Sequence, residues 1–228
     1  MRLGGLQKLS LIDFPKKLAA VVFTQGCPFR CHFCHNESLV IPEKFSSSLD
    51  EEDFFSFLRS RKNRLDGVVI SGGEPTIQKD LISFIERIKD IGFAVKLDTS
   101  GICPEVLKEL LQKNLLDYVA MDIKAPFEKY EKVIGTKIDT EKIQDSINLL
   151  LNSKILFEFR TTLVPHFHSL DDIIVMAKMI KTAPVYILQK FIPTSTLTSF
   201  KNKKSFFEKE LHPYIKEAKK HVKSCYYR

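Results

Sequence analysis

Six short apolar segments alternate with helical stretches along this chain, and that alternation limits the fold more than any other feature. The segments Ala20–Gln25, Gly67–Ser71, Phe93–Asp98, Tyr118–Ile123, Ile155–Thr162 and Val185–Phe191 are rich in Val, Ile and Phe and bounded by turn residues. Helical signals fill the gaps. Ser48 with Glu51 makes a capping-box pattern before Phe54, Phe55 and Leu58. Leu81, Phe84, Ile85 and Ile88 share one helical face, closed by Gly92. Pro104 opens a third helix, Thr140 caps a fourth, Ser169 with Asp172 starts a fifth, and the last is expected over Ser205–Val222 with a kink or restart at Pro213. Six βα units predict an α/β fold with a parallel sheet and right-handed crossovers. They are too few for a complete eight-unit barrel. Periodicity alone leaves open a Rossmann-type sheet or a partial barrel.

The 228 residues suit one well-buried domain, and no composition shift, repeat or linker divides them. We read residues 1–228 as a single domain with an N-terminal extension (1–17), a core (18–200) and a C-terminal helix (205–222). No apolar run is long enough to span a bilayer, and Lys8, Asp13 and Lys16 interrupt any signal-like start, so a cytoplasmic protein is expected. The net charge of +7 is dispersed. Its densest stretch, Lys201 to Lys223, interleaves Phe206, Phe207, Leu211, Ile215 and Val222, the pattern of an amphipathic helix with a solvated lysine face. Without an arginine-rich run or an aromatic RNA-binding motif, no nucleic-acid partner and no membrane partner is expected.

Five cysteines are present, and three of them, Cys27, Cys31 and Cys34, fall in the run CPFRCHFC directly after the first core strand. An odd, clustered set does not read as a disulfide framework; thiolates gathered on one loop read as soft metal ligands. Three thiolates can each ligate one iron of a four-iron cluster and leave the fourth iron without a protein ligand. The alternative is a zinc knuckle completed by His32 or His35, although such sites usually come as two cysteine pairs and no second pair exists here. Cys103 and Cys225 stand alone and read as incidental thiols. His166 and His168 in PHFH, with no carboxylate or thiol beside them, read as surface structure.

Further chemistry-bearing residues sit where the other strands end, the rim at which barrel enzymes build their sites. The second strand ends in Gly72, Gly73, Glu74 and Pro75, the third in Asp98 and Thr99, the fourth in Asp122 and Lys124. Each Asp alone could be an ordinary turn or cap residue. The fifth strand carries Arg160 and Thr162; an Arg in an apolar strand calls for a buried partner. The sixth supplies Gln189.

The C-x3-C-x-aromatic-C run with Phe33 resembles the signature of the radical S-adenosylmethionine (AdoMet) superfamily. That resemblance implies a [4Fe-4S] cluster on Cys27, Cys31 and Cys34, with AdoMet on the open iron and the radical carried by AdoMet and the cluster, so that no side chain is a catalytic residue in its own right. It places Phe33 near the adenine and Gly72, Gly73 and Glu74 at the methionine amino group. The segments DTSG and MDIK resemble those of glycyl-radical-enzyme activases. There the residues matching Asp98, Thr99, Asp122, Lys124, Arg160 and Thr162 line AdoMet, and in one branch a monovalent cation sits beside its carboxylate. Gln189 stands near the position where some activases have a histidine that contacts adenosine; this chain has none there.

The stretch GGLQKLSLIDFPKKLAAVVFTQGCPFRCHFCHNESLV is similar to one branch, the anaerobic ribonucleoside-triphosphate reductase activating proteins. The marks are Ser10, Asp13, Phe14 and Pro15, then TQGC, then Cys34-His35-Asn36, with a further match at Lys129–Gly135 (KYEKVIG). Lys16 departs from the glycine usual after the aromatic-Pro pair. The branch implies a partial (β/α)6 barrel, a reductase partner that receives a glycyl radical, and a flavodoxin- or ferredoxin-like electron donor. Rival readings are an enzyme acting on a free metabolite, as in the 7-carboxy-7-deazaguanine synthase type, an activase of another glycyl radical enzyme, and a metal-binding or electron-transfer protein without catalysis.

Overall fold

A computed structural model describes residues 1–193, 197 and 204–228. All six expected strands are present, each within a residue of its expected bounds: β2 (Ala19–Thr24), β3 (Gly67–Gly72), β4 (Ala94–Thr99), β5 (Tyr118–Asp122), β6 (Leu156–Leu163) and β7 (Tyr186–Lys190). They run parallel in sequence order. Both faces of most of these strands are buried, which is why they read as near-continuous apolar runs. The sheet and its crossovers form an α/β partial barrel.

Two edge strands were not legible. β1 (Leu3–Ser10) pairs antiparallel with β2, and β8 (Cys225–Tyr227) extends the parallel run beside β7. β1 contains Gly4 and Gly5 and exposes Gln7 and Lys8, as suits an edge. β8 is three residues long and too short for periodicity to register. The residues 1–17 are therefore partly sheet rather than a plain extension.

The helices cover the outer face. α2 (Glu51–Ser60) is capped by Asp50, whose side chain accepts from the Glu52 and Asp53 amides. Ser48, expected to cap it, instead hydrogen bonds to the Leu3 backbone. α3 (Leu81–Ile91) ends at Gly92 in the left-handed conformation, and α4 (Pro104–Gln112) starts at Pro104. α6 (Thr140–Leu151) is capped by Asp139 rather than Thr140; α7 (Leu170–Met179) has the Ser169–Asp172 capping box. α8 (Glu208–Ala218) is shorter than expected and continues through Pro213. On its flank Leu211 and Val222 are buried, whereas Phe207 is exposed; Lys201 and Lys203 of the basic stretch lie outside the described residues. Two short helices were not foreseen, α1 (Glu37–Val40) and α5 (Tyr130–Ile134). Among the described residues, no helix is long and apolar enough to cross a membrane.

A second, smaller core fills the inner side of the sheet at the N-terminal ends of the strands. Phe14 packs there with Ala19, Val21, Val69 and Tyr118. The Ser10 hydroxyl accepts from the Ile12 and Asp13 amides and donates to the Asp13 carboxylate, a tight turn that swings Phe14 under the strands. A Cβ on Gly67 would stand 2.9 Å from the Phe14 ring, so the glycine makes its seat. Lys16 has φ 62°, which explains why a glycine is usual after this element. Phe14→Ala should lower unfolding free energy by about 3–5 kcal/mol in urea denaturation. A loss below about 1 kcal/mol would show that the ring does not seal this end.

Candidate active site

The cysteine loop leaves β2 at Thr24 and is joined by backbone to the next strand end. The Gly73 amide donates to the Thr24 carbonyl and the Glu74 amide to the Gly26 carbonyl, both at 2.8 Å. A Cβ on Gly73 would lie 2.0 Å from the Gly26 oxygen, and one on Gly72 would lie 2.4 Å from the Thr24 nitrogen. Only glycine fits at either position, so the two motifs specify each other. The loop is also fastened from within. The Arg30 guanidinium donates to the Cys27 and Phe29 carbonyls at 2.7 and 2.8 Å, and the Cys34 amide donates to the Cys31 carbonyl.

Its two flanks are tied down by residues of the longer motifs. The Arg30 amide donates to the Ile134 carbonyl at the end of α5, so the KYEKVIG segment braces the loop. Asn36 donates to the Gly72 carbonyl. His35 stacks on Phe191 and its Nε2 lies 2.7 Å from the Ile192 carbonyl oxygen, beyond the end of β7. The His32 ring stacks on Phe167.

All five cysteines are unpaired. Burial, with the Glu74 carboxylate next, pushes the Cys27 thiol up to about 12, and burial pushes Cys31 up to about 11; Cys34 is raised by the same cause. Three soft thiols on one loop, Cys31 buried and Cys27 and Cys34 half-buried, are the ligand type that an iron–sulfur cluster takes. Among the described residues, no three His, Cys, Asp or Glu side chains gather closely enough to hold one metal ion. Ligands to three different irons need not gather so closely.

Glu74 is 1% exposed and turned inward. Its carboxylate accepts five hydrogen bonds of 2.5–3.1 Å, from the Thr76 amide and hydroxyl, the Thr99 hydroxyl, and the Ser100 amide and hydroxyl. These bonds join the GGEP turn to the DTSG turn. Thr99 is spent on Glu74. Phe33 is buried, with its ring beside those of Phe167 and His168.

Asp98, Asp122, Lys124 and Arg160 do come together. Arg160 donates from Nε to Asp122 at 2.9 Å and from Nη1 to Asp98 at 3.3 Å, the buried partners that an Arg in this strand calls for. Lys124 donates to the other oxygen of Asp122 at 2.8 Å, and Ser71 donates to Asp98. Burial works to raise both carboxyls, but the Arg160 guanidinium, with Lys96 at Asp98 and Lys124 at Asp122, outweighs it and holds both below the carboxylate range. Burial works to lower Lys124 and Arg160; Asp122 outweighs it and holds both cations above their ordinary values. Thr162 and Gln189 pair in register at the same rim, both half-buried.

Three residues of this region escaped the sequence. Lys96, 1% exposed, forms an ion pair with Asp98 two residues on, on the same face of β4. Tyr130 is fully buried and its hydroxyl accepts from the Lys124 amide. His168 is not surface structure: it is 2% exposed, Nδ1 accepts from the Val164 amide, and Nε2 therefore donates to the Lys124 carbonyl. An open groove of about 950 Å³ between α4 and α6 contains none of the expected site residues.

Removing Arg160 would leave two buried carboxylates short of a partner. Arg160→Met should cost about 3–5 kcal/mol of stability at neutral pH. Because both carboxyls are depressed below their ordinary 3.8, their contribution is complete above that value and is lost as pH falls below it. The gap between wild type and Arg160→Met in urea melts should therefore narrow from pH 4 toward pH 2.

The Radical SAM superfamily profile matches residues 21–180. A Methanocaldococcus jannaschii protein named as a candidate glycyl-radical enzyme activating enzyme is 38% identical over 96% of this chain and 92% of its own length. The pyruvate formate-lyase-activating enzyme of Listeria monocytogenes is 28% identical over 86% of this chain and 70% of its own. Among solved structures, Streptococcus suis SuiB bound to S-adenosylmethionine superposes with TM-score 0.70 at 15% identity, covering 91% of this chain; the chain spans 49% of SuiB. A domain of pyruvate-formate lyase-activating enzyme from Bacteroides vulgatus gives TM-score 0.58 at 15% identity over 71% of this chain and 98% of that domain. These two likenesses bear on the fold alone. The chain belongs to the radical SAM superfamily and is an enzyme of it, homologous to glycyl-radical enzyme activating enzymes.

Proposed function

We propose that this enzyme cleaves AdoMet reductively and places a glycyl radical on a partner enzyme, with an anaerobic ribonucleoside-triphosphate reductase as that partner. The observation that carries the reading is the three-thiol loop bonded to the Gly72–Gly73 turn, at a rim where Asp98, Asp122, Lys124 and Arg160 converge. Cys27, Cys31 and Cys34 would hold a [4Fe-4S] cluster, which would supply the one electron that reductive cleavage of AdoMet requires.

The chain's own residues have distinct parts in this reading. Gly72 and Gly73 let backbone approach the methionine end of AdoMet, and Glu74 and Thr99 position that turn. Lys124 and Arg160 offer cationic donors to its carboxylate, with Asp98 and Asp122 holding them. Phe33 shields the cluster, and Thr162 and Gln189 border the adenosine side. The electron comes from a flavodoxin- or ferredoxin-like donor, in the cytoplasm, where thiols stay reduced. The chain acts as one domain over residues 1–228.

The reductase target is supported by the similarity running from Gly4 through Val40. A second target class, a pyruvate formate-lyase-like enzyme, is favoured by the Listeria relative. The two are separated by mixing the reduced, AdoMet-supplied protein with each glycyl radical enzyme and recording electron paramagnetic resonance. A glycyl doublet with the reductase is expected; a doublet only with another enzyme would reassign the target, and none with any partner would refute activation.

Replacing Cys27, Cys31 or Cys34 by Ala should abolish the iron–sulfur absorbance and 5′-deoxyadenosine formation. Cys103→Ala and Cys225→Ala should retain both nearly in full. Equal cluster loss in Cys103→Ala would overturn the ligand assignment.

A further inference from the structure

The resemblance to activases raised a monovalent cation beside the AdoMet carboxylate, and Asp98 and Asp122 are the carboxylates that the matching segments bring to this rim. The oxygens of this chain do not fit that ion. An alkali cation in a protein draws on carboxylate and carbonyl oxygens with lone pairs to spare. Here every carboxylate oxygen of the pair already faces a cationic side chain. Asp98 Oδ1 takes the Lys96 ammonium, and Asp98 Oδ2 takes the Arg160 guanidinium and the Ser71 hydroxyl. Asp122 Oδ1 takes Arg160 Nε, and Asp122 Oδ2 takes Lys124.

The charges also balance without an added ion. Lys96, Lys124 and Arg160 pair with Asp98 and Asp122, and Glu158 of β6, bonded by the Tyr118 hydroxyl at 2.8 Å, adds a third negative charge felt by Arg160. Lys96 is the decisive member. Its side chain is 2% exposed and its ammonium ends on Asp98. A lysine buried this deeply needs a carboxylate, and a carboxylate so paired has little left for a second cation.

We propose that the Lys96 ammonium is the built-in counter-ion of Asp98, in the place a monovalent cation would take, so that this enzyme assembles its AdoMet site without sodium or potassium. Lys96 is a positioning residue: it acts through Asp98 and Arg160 and does not touch the ligand. The inference rests on the AdoMet reading above, but its test does not depend on it.

The experiment compares potassium, sodium and choline chlorides at equal ionic strength, using cluster-loaded protein. Thermal melting without AdoMet reads the ion alone. Wild type should melt at the same temperature in all three salts, and its AdoMet dissociation constant by anaerobic calorimetry should vary less than about twofold. Lys96→Met should bind AdoMet at least about tenfold more weakly in choline and recover in part in potassium or sodium. Wild-type melting or AdoMet affinity that depends strongly on potassium or sodium would overturn the proposal, as would a folded Lys96→Met variant indifferent to the salt. If Lys96→Met does not fold, the wild-type comparison alone decides. Wild type that binds AdoMet in no salt refutes the function proposed above, while its melting curves still test the counter-ion.

Discussion

Everything at this site hangs on one close backbone approach. The chain crosses itself where Thr24–Gly26 meets Gly72–Glu74, with two 2.8 Å hydrogen bonds and no room for a single Cβ on Gly73. That approach fixes the root of the cysteine loop relative to β3. Glu74 extends the tie to the end of β4 through Thr99 and Ser100, and Arg30 and Ile134 extend it toward α5. Three successive strand ends and one crossover helix are thus held as one rim by hydrogen bonds, with no side chain needed for chemistry among them. A loop that must hold three thiols in fixed relation gains more from such bracing than from its own short sequence.

Beneath the rim lies a layer of charge, and beneath that a plug of apolar side chains. Parallel strands make this layering simple, since alternate residues of each strand face inward at successive heights. Val69 and Tyr118 meet Phe14, with Lys96 in register between them; Asp98 and Glu158 stand in register with Ala120 one inward position further along, and Asp122 pairs in register with Arg160 at the rim. Burying so many charges is costly unless each is paired or hydrogen-bonded; the Asp, Lys and Arg side chains pair with one another, and Glu158 takes the Tyr118 hydroxyl. The apolar plug keeps water from reaching the ion pairs from below, which keeps their mutual attraction strong.

The sequence made the parallel strands legible because buried parallel strands are uninterrupted apolar runs, and it made the rim legible because the chemistry sits where those runs end. It also carried Arg160's need for a partner. What it hid were features decided by three-dimensional contact. Lys96 looks like any strand lysine until the face it shares with Asp98 is seen to point inward. Glu74 looks like a lone acid after a glycine turn, and only the structure shows the five donors that tie it to Thr76, Thr99 and Ser100. His168 sits in a loop that reads as polar surface, yet its ring closes a hydrogen-bond bridge from Val164 to the Lys124 carbonyl. Lys16 departs from a family glycine in type but keeps the glycine's backbone conformation.

The central claim is that three thiols hold a cluster whose remaining iron is reserved for AdoMet. The most direct test is the electron paramagnetic resonance spectrum of the reduced, reconstituted protein before and after AdoMet is added. An open iron predicts a cubane signal whose g values shift on addition of AdoMet, because the ligand joins the cluster itself. A spectrum unchanged by AdoMet, from a protein holding a full complement of iron and sulfide, would mean that a fourth protein ligand closes the site and would contradict this account.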